Sequence, residues 1–410
     1  MRMFIRLLFI FALALQAPAQ VYISSGTGAP YSITAVTQGE VWVSLASNTN
    51  LLGTSQVLGF GTQNVPYSGD LYQIFLNIQA NTTVHLSPGL GYVKGDGTPN
   101  LAAGFKMVGT GQGITTLRRD PRFSYQTNAP MIFTTHDDVS VSDVTLDAAS
   151  TTGDSFKHEC VALRGSRSRV VRITATGWNG VYSNSLECFP ILVQGNQTNA
   201  ADGGLISECE VSGGQNYVTG ISLNSAGVIE KCRTVYPFLT GNAHPPLYIG
   251  YQTTGSSGAV LRDNVCFGGN IGFYTDTTNE TDLILTGNRF YGVMQGITFA
   301  KSGGASVNGV VISGDWIELS TNTLASAGGA GITFANSPGY ANNLMIYGCT
   351  VRYQDGKPGP AGNIGSLQAI GVTAPATNTL LMGNTWDQDF VMSVITNNAT
   401  IMSNSYSSKQ

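Results

Sequence analysis

Short stretches of alternating apolar and polar residues recur down the chain, always in the same order. Gly272-Phe-Tyr-Thr275 leads to Leu283-Ile-Leu-Thr286, a Gly287-Asn288 corner and then Arg289-Phe290. Gly296-Ile-Thr-Phe299 leads to Val310-Val-Ile-Ser313, Gly314-Asp315 and Trp316-Ile317. Gly331-Ile-Thr-Phe334 leads to Leu344-Met-Ile-Tyr347, Gly348-Cys349 and Thr350-Val351, with shorter copies at 380–386 and 400–406. Alternation at period two predicts half-buried strands. Its return at a fixed larger spacing predicts stacked units, none able to bury its apolar face alone.

Counted by their corner residues, the units fall at Asp143, Ile173, Cys209, Cys232, Asn264, Asn288, Asp315, Cys349, Asn384 and Asn404, about 29 residues apart. Asparagine suits such a corner because amides stacked at the strand spacing of about 4.8 Å hydrogen-bond up the column. Ile221, Leu223, Ile297, Phe299, Ile332 and Phe334 fall on the inward parity and form the expected core. The six cysteines admit two readings. Cys209, Cys232 and Cys349 share the corner position with the asparagines, as buried free thiols would. Cys209–Cys232 and Cys160–Cys188 also remain plausible bridges. No cysteine spacing resembles a zinc site.

Ahead of the repeats, residues 1–19 read as a signal peptide. Arg2 and Arg6 flank an apolar run from Leu7 to Leu15, and Ala17-Pro-Ala19 suits cleavage after Ala19. The run is too short to span a bilayer. Residues 20–69 read as an extended leader wrapping the first coils. A helix is expected over about 70–79, where Leu71, Ile74, Phe75 and Ile78 recur at helical spacing after Asp70. It would cap the open end of a stack occupying 70–410. The first full coil is expected over Thr82 to Leu117.

Composition agrees. Glycine numbers 51 and only 11% of residues are charged, which suits a chain that turns every few residues. Twenty basic residues against 24 acidic ones leave no basic stripe for nucleic acid.

The segment Val84-His-Leu-Ser-Pro-Gly89, followed by Phe105-Lys-Met-Val-Gly-Thr-Gly-Gln-Gly-Ile-Thr-Thr-Leu117, resembles the opening of the pectin-lyase-like superfamily. The resemblance covers about 70–408. It implies an all-β fold, a right-handed parallel β-helix of about 10–12 coils with a short N-terminal capping helix. It also implies a substrate groove over the first sheet of each coil. The expected strands of that sheet are 131–135, 160–164, 190–194, 220–224, 246–250, 272–275, 296–299, 331–334, 368–372 and 391–395. Their outward or strand-end residues are expected to include His136, Arg164, Gln194, Asn224, Tyr248, Tyr251, Tyr274, Asp276 and Lys301. The Gly-His-Gly and Arg-Ile-Lys segments of polygalacturonase-like members and the Trp-Ile-Asp-His segment of calcium pectate lyases are absent from this sequence.

The densest titratable group lies at the start of that groove. His136-Asp137-Asp138 leaves one strand, and Lys157-His158-Glu159 enters the next, which ends at Arg164. A lyase needs a base for the proton beside a uronate carboxylate and a cation to hold that carboxylate. His158 or Arg164 could take either part, with Asp137 and Asp138 holding Ca²⁺. A hydrolase needs two carboxylates, for which Glu159 with Asp137 or Asp276 is the candidate pair. The candidate catalytic residues are therefore His158, Glu159 and Arg164, and the candidate metal ligands Asp137 and Asp138. His136, Gln194, Asn224, Tyr248, Tyr251 and Asp276 are the candidate substrate contacts. Tyr236, Tyr248 and Tyr251 could stack on sugar faces or be ordinary surface residues. Together these predict an exported protein that binds polysaccharide and acts as a lyase or glycoside hydrolase on uronate-containing glycans. The alternative is a non-catalytic adhesin-like or carbohydrate-binding β-helix.

Overall fold

The computed structural model describes the chain from Gly39 to Ser407, apart from 47–55, 95–96, 121–128, 150–156, 181–187, 196–201, 215–217, 237–247, 276–278, 300–305, 321–328, 335–339, 355–367, 388–389 and 397–398. The expected signal peptide, residues 20–38 of the leader, Asp276 and Lys301 lie outside the described residues.

Alternating sequence becomes stacked strand. Two large sheets of 23 and 13 strands run the length of the molecule, and the pairing within both is parallel. Strand β1 (Glu40–Val43) pairs in register with β2 (Thr83–Leu86), Val41 beside Val84 and Val43 beside Leu86. The stack thus begins one rung before the coil at Thr82, inside the stretch expected to be leader. Between these two strands lies helix α1 (Leu71–Leu76), shorter than expected. Asp70 caps it by accepting from Tyr72 N, and Asn77 ends it. Leu71, Ile74 and Phe75 are buried, and Phe75 meets Phe105 edge-on at 6.0 Å.

The 13-stranded sheet supplies, in ten coils, the side on which the groove is expected. Its main strands are β3 (Ile132–Thr134), β4 (Val161–Leu163), β5 (Ile191–Val193), β6 (Val218–Leu223), β7 (Tyr248–Thr253), β8 (Ile271–Thr275), β9 (Gln295–Phe299), β10 (Ala330–Phe334), β11 (Gln368–Thr377) and β12 (Val391–Thr396). Register places Ile132, Val161, Ile191, Ile221, Tyr251, Phe273, Ile297, Ile332 and Ile370 in one inward column. Phe299 stacks on Phe334 at 4.3 Å in the next inward column. The 23-stranded sheet closes the far side with Ile206, Ile229, Leu261, Leu285, Ile312, Ile346 and Leu381. Each such buried aliphatic residue contributes roughly 1.5–3 kcal/mol.

The corner between these far-side strands carries two columns. One residue is left-handed, such as Lys231, Asp263, Gly287, Gly314 or Gly348, at φ between 53° and 65°. The residue after it points inward and bonds to its counterparts above and below. Asn264 donates Nδ2 to Asn288 Oδ1 at 3.0 Å, and Asn384 does the same to Asn404 at 2.9 Å. Cys209, Cys232 and Cys349 fill the same slot, and all six cysteines are free and buried. No bridge forms at Cys209–Cys232 or Cys160–Cys188. Asp143 was counted as a slot residue by its spacing. It takes the left-handed position instead (φ 60°), and Val144, paired with Ile173, stands in the slot.

Candidate functional site

The outward face of the groove sheet is read from the same register. Phe133, Ala162, Leu192, Ser222, Gln252, Tyr274, Thr298 and Thr333 lie on successive rungs. Beside them, just past the strand ends, runs a second column: Arg164, Gln194 and Asn224. Each donates its main-chain N–H to the rung before, to Thr134 O at 2.9 Å, Leu163 O at 2.7 Å and Val193 O at 2.9 Å respectively. The three side chains therefore leave the wall at intervals of about 4.8 Å.

Arg164 is exposed, and its guanidinium lies 5.7 Å from the Phe133 ring centroid. It pairs with no carboxylate among the described residues. Asn224 Oδ1 accepts from Ser222 Oγ at 3.0 Å, and Gln194 is half-buried. Gln252 is 5% exposed, and its Oε1 has no hydrogen-bond partner. Exposed His136 follows one rung earlier, its N–H donating to Thr134 Oγ1 at 3.0 Å. Its main chain passes so close to residue 165 that a Cβ there would stand 1.9 Å from His136 O. Glycine at 165 is what lets the His136 turn pack under the end of β4.

Asp137 and Asp138 sit on that turn, but they serve an arginine. Arg167 grips Asp138 with two bonds of 2.7 and 2.8 Å, reaches Asp202 at 2.9 Å and lies 3.6 Å from Asp137. Asp137 Oδ1 also accepts from Ser166 N at 2.8 Å. The hydrogen bonds from Arg167 hold the Asp138 carboxyl below its usual range, against a smaller opposing effect of burial. A calcium ion would have to displace the guanidinium from oxygens it already neutralises, so this pair does not fit as a metal site. No group of three His, Cys, Asp or Glu suited to a metal ion occurs among the described residues.

His158 and Glu159 lie elsewhere, at the opposite end of β4 from Arg164, five residues or roughly 16 Å of strand away. His158 is fully buried. Its main chain bridges Asn179, and Nδ1 lies 3.3 Å from Ala148 O. Glu159 is 1% exposed, its Oε1 taken up by Lys157 Nζ at 3.0 Å and Phe189 N at 3.3 Å. Neither faces the groove, and neither shares a site with Arg164 or Asp137. The catalytic grouping expected from His158, Glu159 and Arg164 is not assembled.

The tyrosines are also corrected. Tyr251 points inward, with its hydroxyl 2.8 Å from both Cys232 O and Val265 O. Burial pushes its phenol well above the usual value. Tyr248 stacks on Tyr236 at 5.3 Å, both nearly buried, with Trp178 edge-on to each. None of the three offers a free face to a sugar. The strand expected at 246–250 lies at Tyr248–Thr253, where Tyr251 pairs with Ile221. The strand runs past its expected end at 250, so Tyr251, expected just beyond it, falls inside the strand on the inward parity. The same correction moves Gln252 onto the groove face, where its parity with Ser222 is the signal that finds it.

No family model matches the chain, and no curated protein does. Solved structures do. A mutant of the tailspike protein of E. coli bacteriophage HK620 superposes with a TM-score of 0.57 at 13% identity, over 79% of this chain and 59% of that one. The N-terminal fragment of bacteriophage Phi29 gene product 12 gives 0.52 at 16% identity, over 75% and 53%. The fold is a right-handed parallel β-helix. The Dettilon tailspike protein gives 0.50 at 15% identity, over 77% and 62%. What these chains share at such identities is the architecture, and this β-helix spans about six tenths or less of each of them. Among its described residues no helix is long and apolar enough to cross a membrane.

Proposed function

We propose that this is an exported polysaccharide-binding β-helix protein whose groove sheet takes an anionic, uronate-bearing glycan along the axis of the stack. The observation that carries this reading is the column of Arg164, Gln194 and Asn224 just past the strand ends, beside half-buried Phe133. It offers a cation with no carboxylate partner among the described residues, followed rung by rung by amides that donate and accept. Arg164 would hold a carboxylate, Gln194 and Asn224 sugar hydroxyls, and His136 the rim. The buried positions of His158 and Glu159 favour binding over cleavage by those residues.

The test is a glycan array followed by titration calorimetry with polyuronates and neutral glycans of matched length. Binding to polyuronate that weakens at least about tenfold in Arg164→Ala and Asn224→Ala, with unfolding midpoints unchanged, is the expected result. Equal binding of neutral glycans, or no loss in Arg164→Ala, would refute the anionic subsite. Growth of unsaturated-uronate absorbance during the titration would show elimination and restore the lyase reading.

A further inference from the structure

Of the eight corner slots from Cys209 to Asn404, seven repeat one bond and one does not. From each rung the slot side chain donates to a main-chain carbonyl of the rung before: Cys209 to Val170 O, Cys232 to Ile206 O, Asn264 to Ile229 O and Asn288 to Leu261 O. Later rungs repeat it, Cys349 to Ile312 O, Asn384 to Ile346 O and Asn404 to Leu381 O. Asp315 stands in the same slot between Asn288 and Cys349. Its Oδ1 accepts from Asn288 N at 2.6 Å and Asn288 Nδ2 at 3.1 Å, as an asparagine would. Its Oδ2 occupies the place of the donating amide, is buried, and has no partner. By register, the carbonyl it should serve is Leu285 O.

We propose that Asp315 is a protonated link in the ladder, donating Oδ2–H to Leu285 O, and that its ionisation unlocks the stack between the coils of Asn288 and Cys349. A carboxylate there would turn an unprotonated oxygen toward a carbonyl oxygen, with no cation among the described residues to answer it. The titratable group that faces it is the buried Cys349 thiol, itself pushed up to about 12 chiefly by burial. Arg289, Glu318 and Arg352 on the adjoining strands take the outward parity, with Arg352 lying over Trp316. Burial pushes the Asp315 carboxyl up to about 7, against the two Asn288 donors that pull it down. A carboxyl raised on folding contributes its stability fully below the unfolded carboxylate range. That contribution is lost as pH rises through the folded value. The C-terminal coils are thus fastened in mild acid and loosen through neutrality.

The experiment is urea unfolding of the full chain between about pH 5 and 9, with Asp315→Asn beside the wild type, since asparagine already fits this slot on neighbouring rungs. The expected result is a wild-type folding constant that falls on the order of a hundredfold between about pH 5 and 7 and levels off above it, and a much flatter profile in Asp315→Asn. Infrared difference spectra of the folded wild type should also show a protonated-carboxyl band that disappears around pH 7 and is missing from Asp315→Asn. An undiminished pH slope in Asp315→Asn, or a wild type without that band in mild acid, would overturn the assignment.

Discussion

The main-chain N–H and the side-chain amide of Asn264 both donate to one atom, Oδ1 of Asn288, at 3.1 and 3.0 Å. Asn288 in turn donates to Leu261 O. Asn288→Ala therefore strands two buried donors and one acceptor. At about 1–3 kcal/mol for each buried group left unpaired, the loss should reach about 3 kcal/mol or more. Asn288→Cys should cost less, because a thiol fills this slot on three other rungs. Urea unfolding of the two variants checks it, and equal losses would contradict the ladder as the source of stability.

Tyr251→Phe separates core from groove. Removing the hydroxyl takes one hydrogen bond from Cys232 O and Val265 O, which keep their ladder partners, at a net cost of roughly 0.5–1.5 kcal/mol. Glycan affinity should stay at the wild-type level, whereas Arg164→Ala should show the reverse pattern. Calorimetric binding and chemical unfolding on the same two proteins decide it.

The architecture was legible in the sequence because period two and the corner residues report packing directly. Ile221, Ile297 and Ile332 lie inward as their parity predicts, and Asn264, Asn288 and Asn384 stack as identical amides should. The site was legible only in part. Arg164, Gln194 and Asn224 end strands whose register follows from near-uniform coils, so their column could be read. Tyr251 could not, because its strand runs past the expected end and nothing in the sequence marks where it stops. His158 and Glu159 misled for another reason: adjacent titratable residues look alike in sequence whether they line a cleft or hold one loop to another inside the wall.

All six cysteines are buried thiols, and burial pushes those of Cys160 and Cys266 up to about 12. Ellman's reagent should leave the folded protein unmodified at neutral pH and react with every thiol in denaturant. A reductant should not move the unfolding midpoint. Prompt modification of the native chain would mean that the thiols at Cys160 and Cys188 are reachable from solvent.

On the acid side the sign reverses. Hydrogen bonds from Arg172 hold the Asp143 carboxyl below its usual range, so this pair contributes above the unfolded carboxylate range and is lost as pH falls through the lowered value. The pair is largely solvated, and its contribution should stay below about 1 kcal/mol. Arg172→Gln should flatten the acid limb slightly and leave the limb above neutrality untouched, as unfolding curves at several pH values and low salt will show.

Because the corners from Cys209 onward repeat one bonding pattern, Asp315 excepted, while the outward residues change from rung to rung, a whole turn of chain is a separable unit of inheritance. Duplicating or excising the stretch from one slot to the next would bring like residues back into contact and leave the spring intact. It would also lengthen or shorten the row of side chains on the opposite wall by one step. In such a molecule the reach of a binding surface can evolve by counting, without redesign of the core.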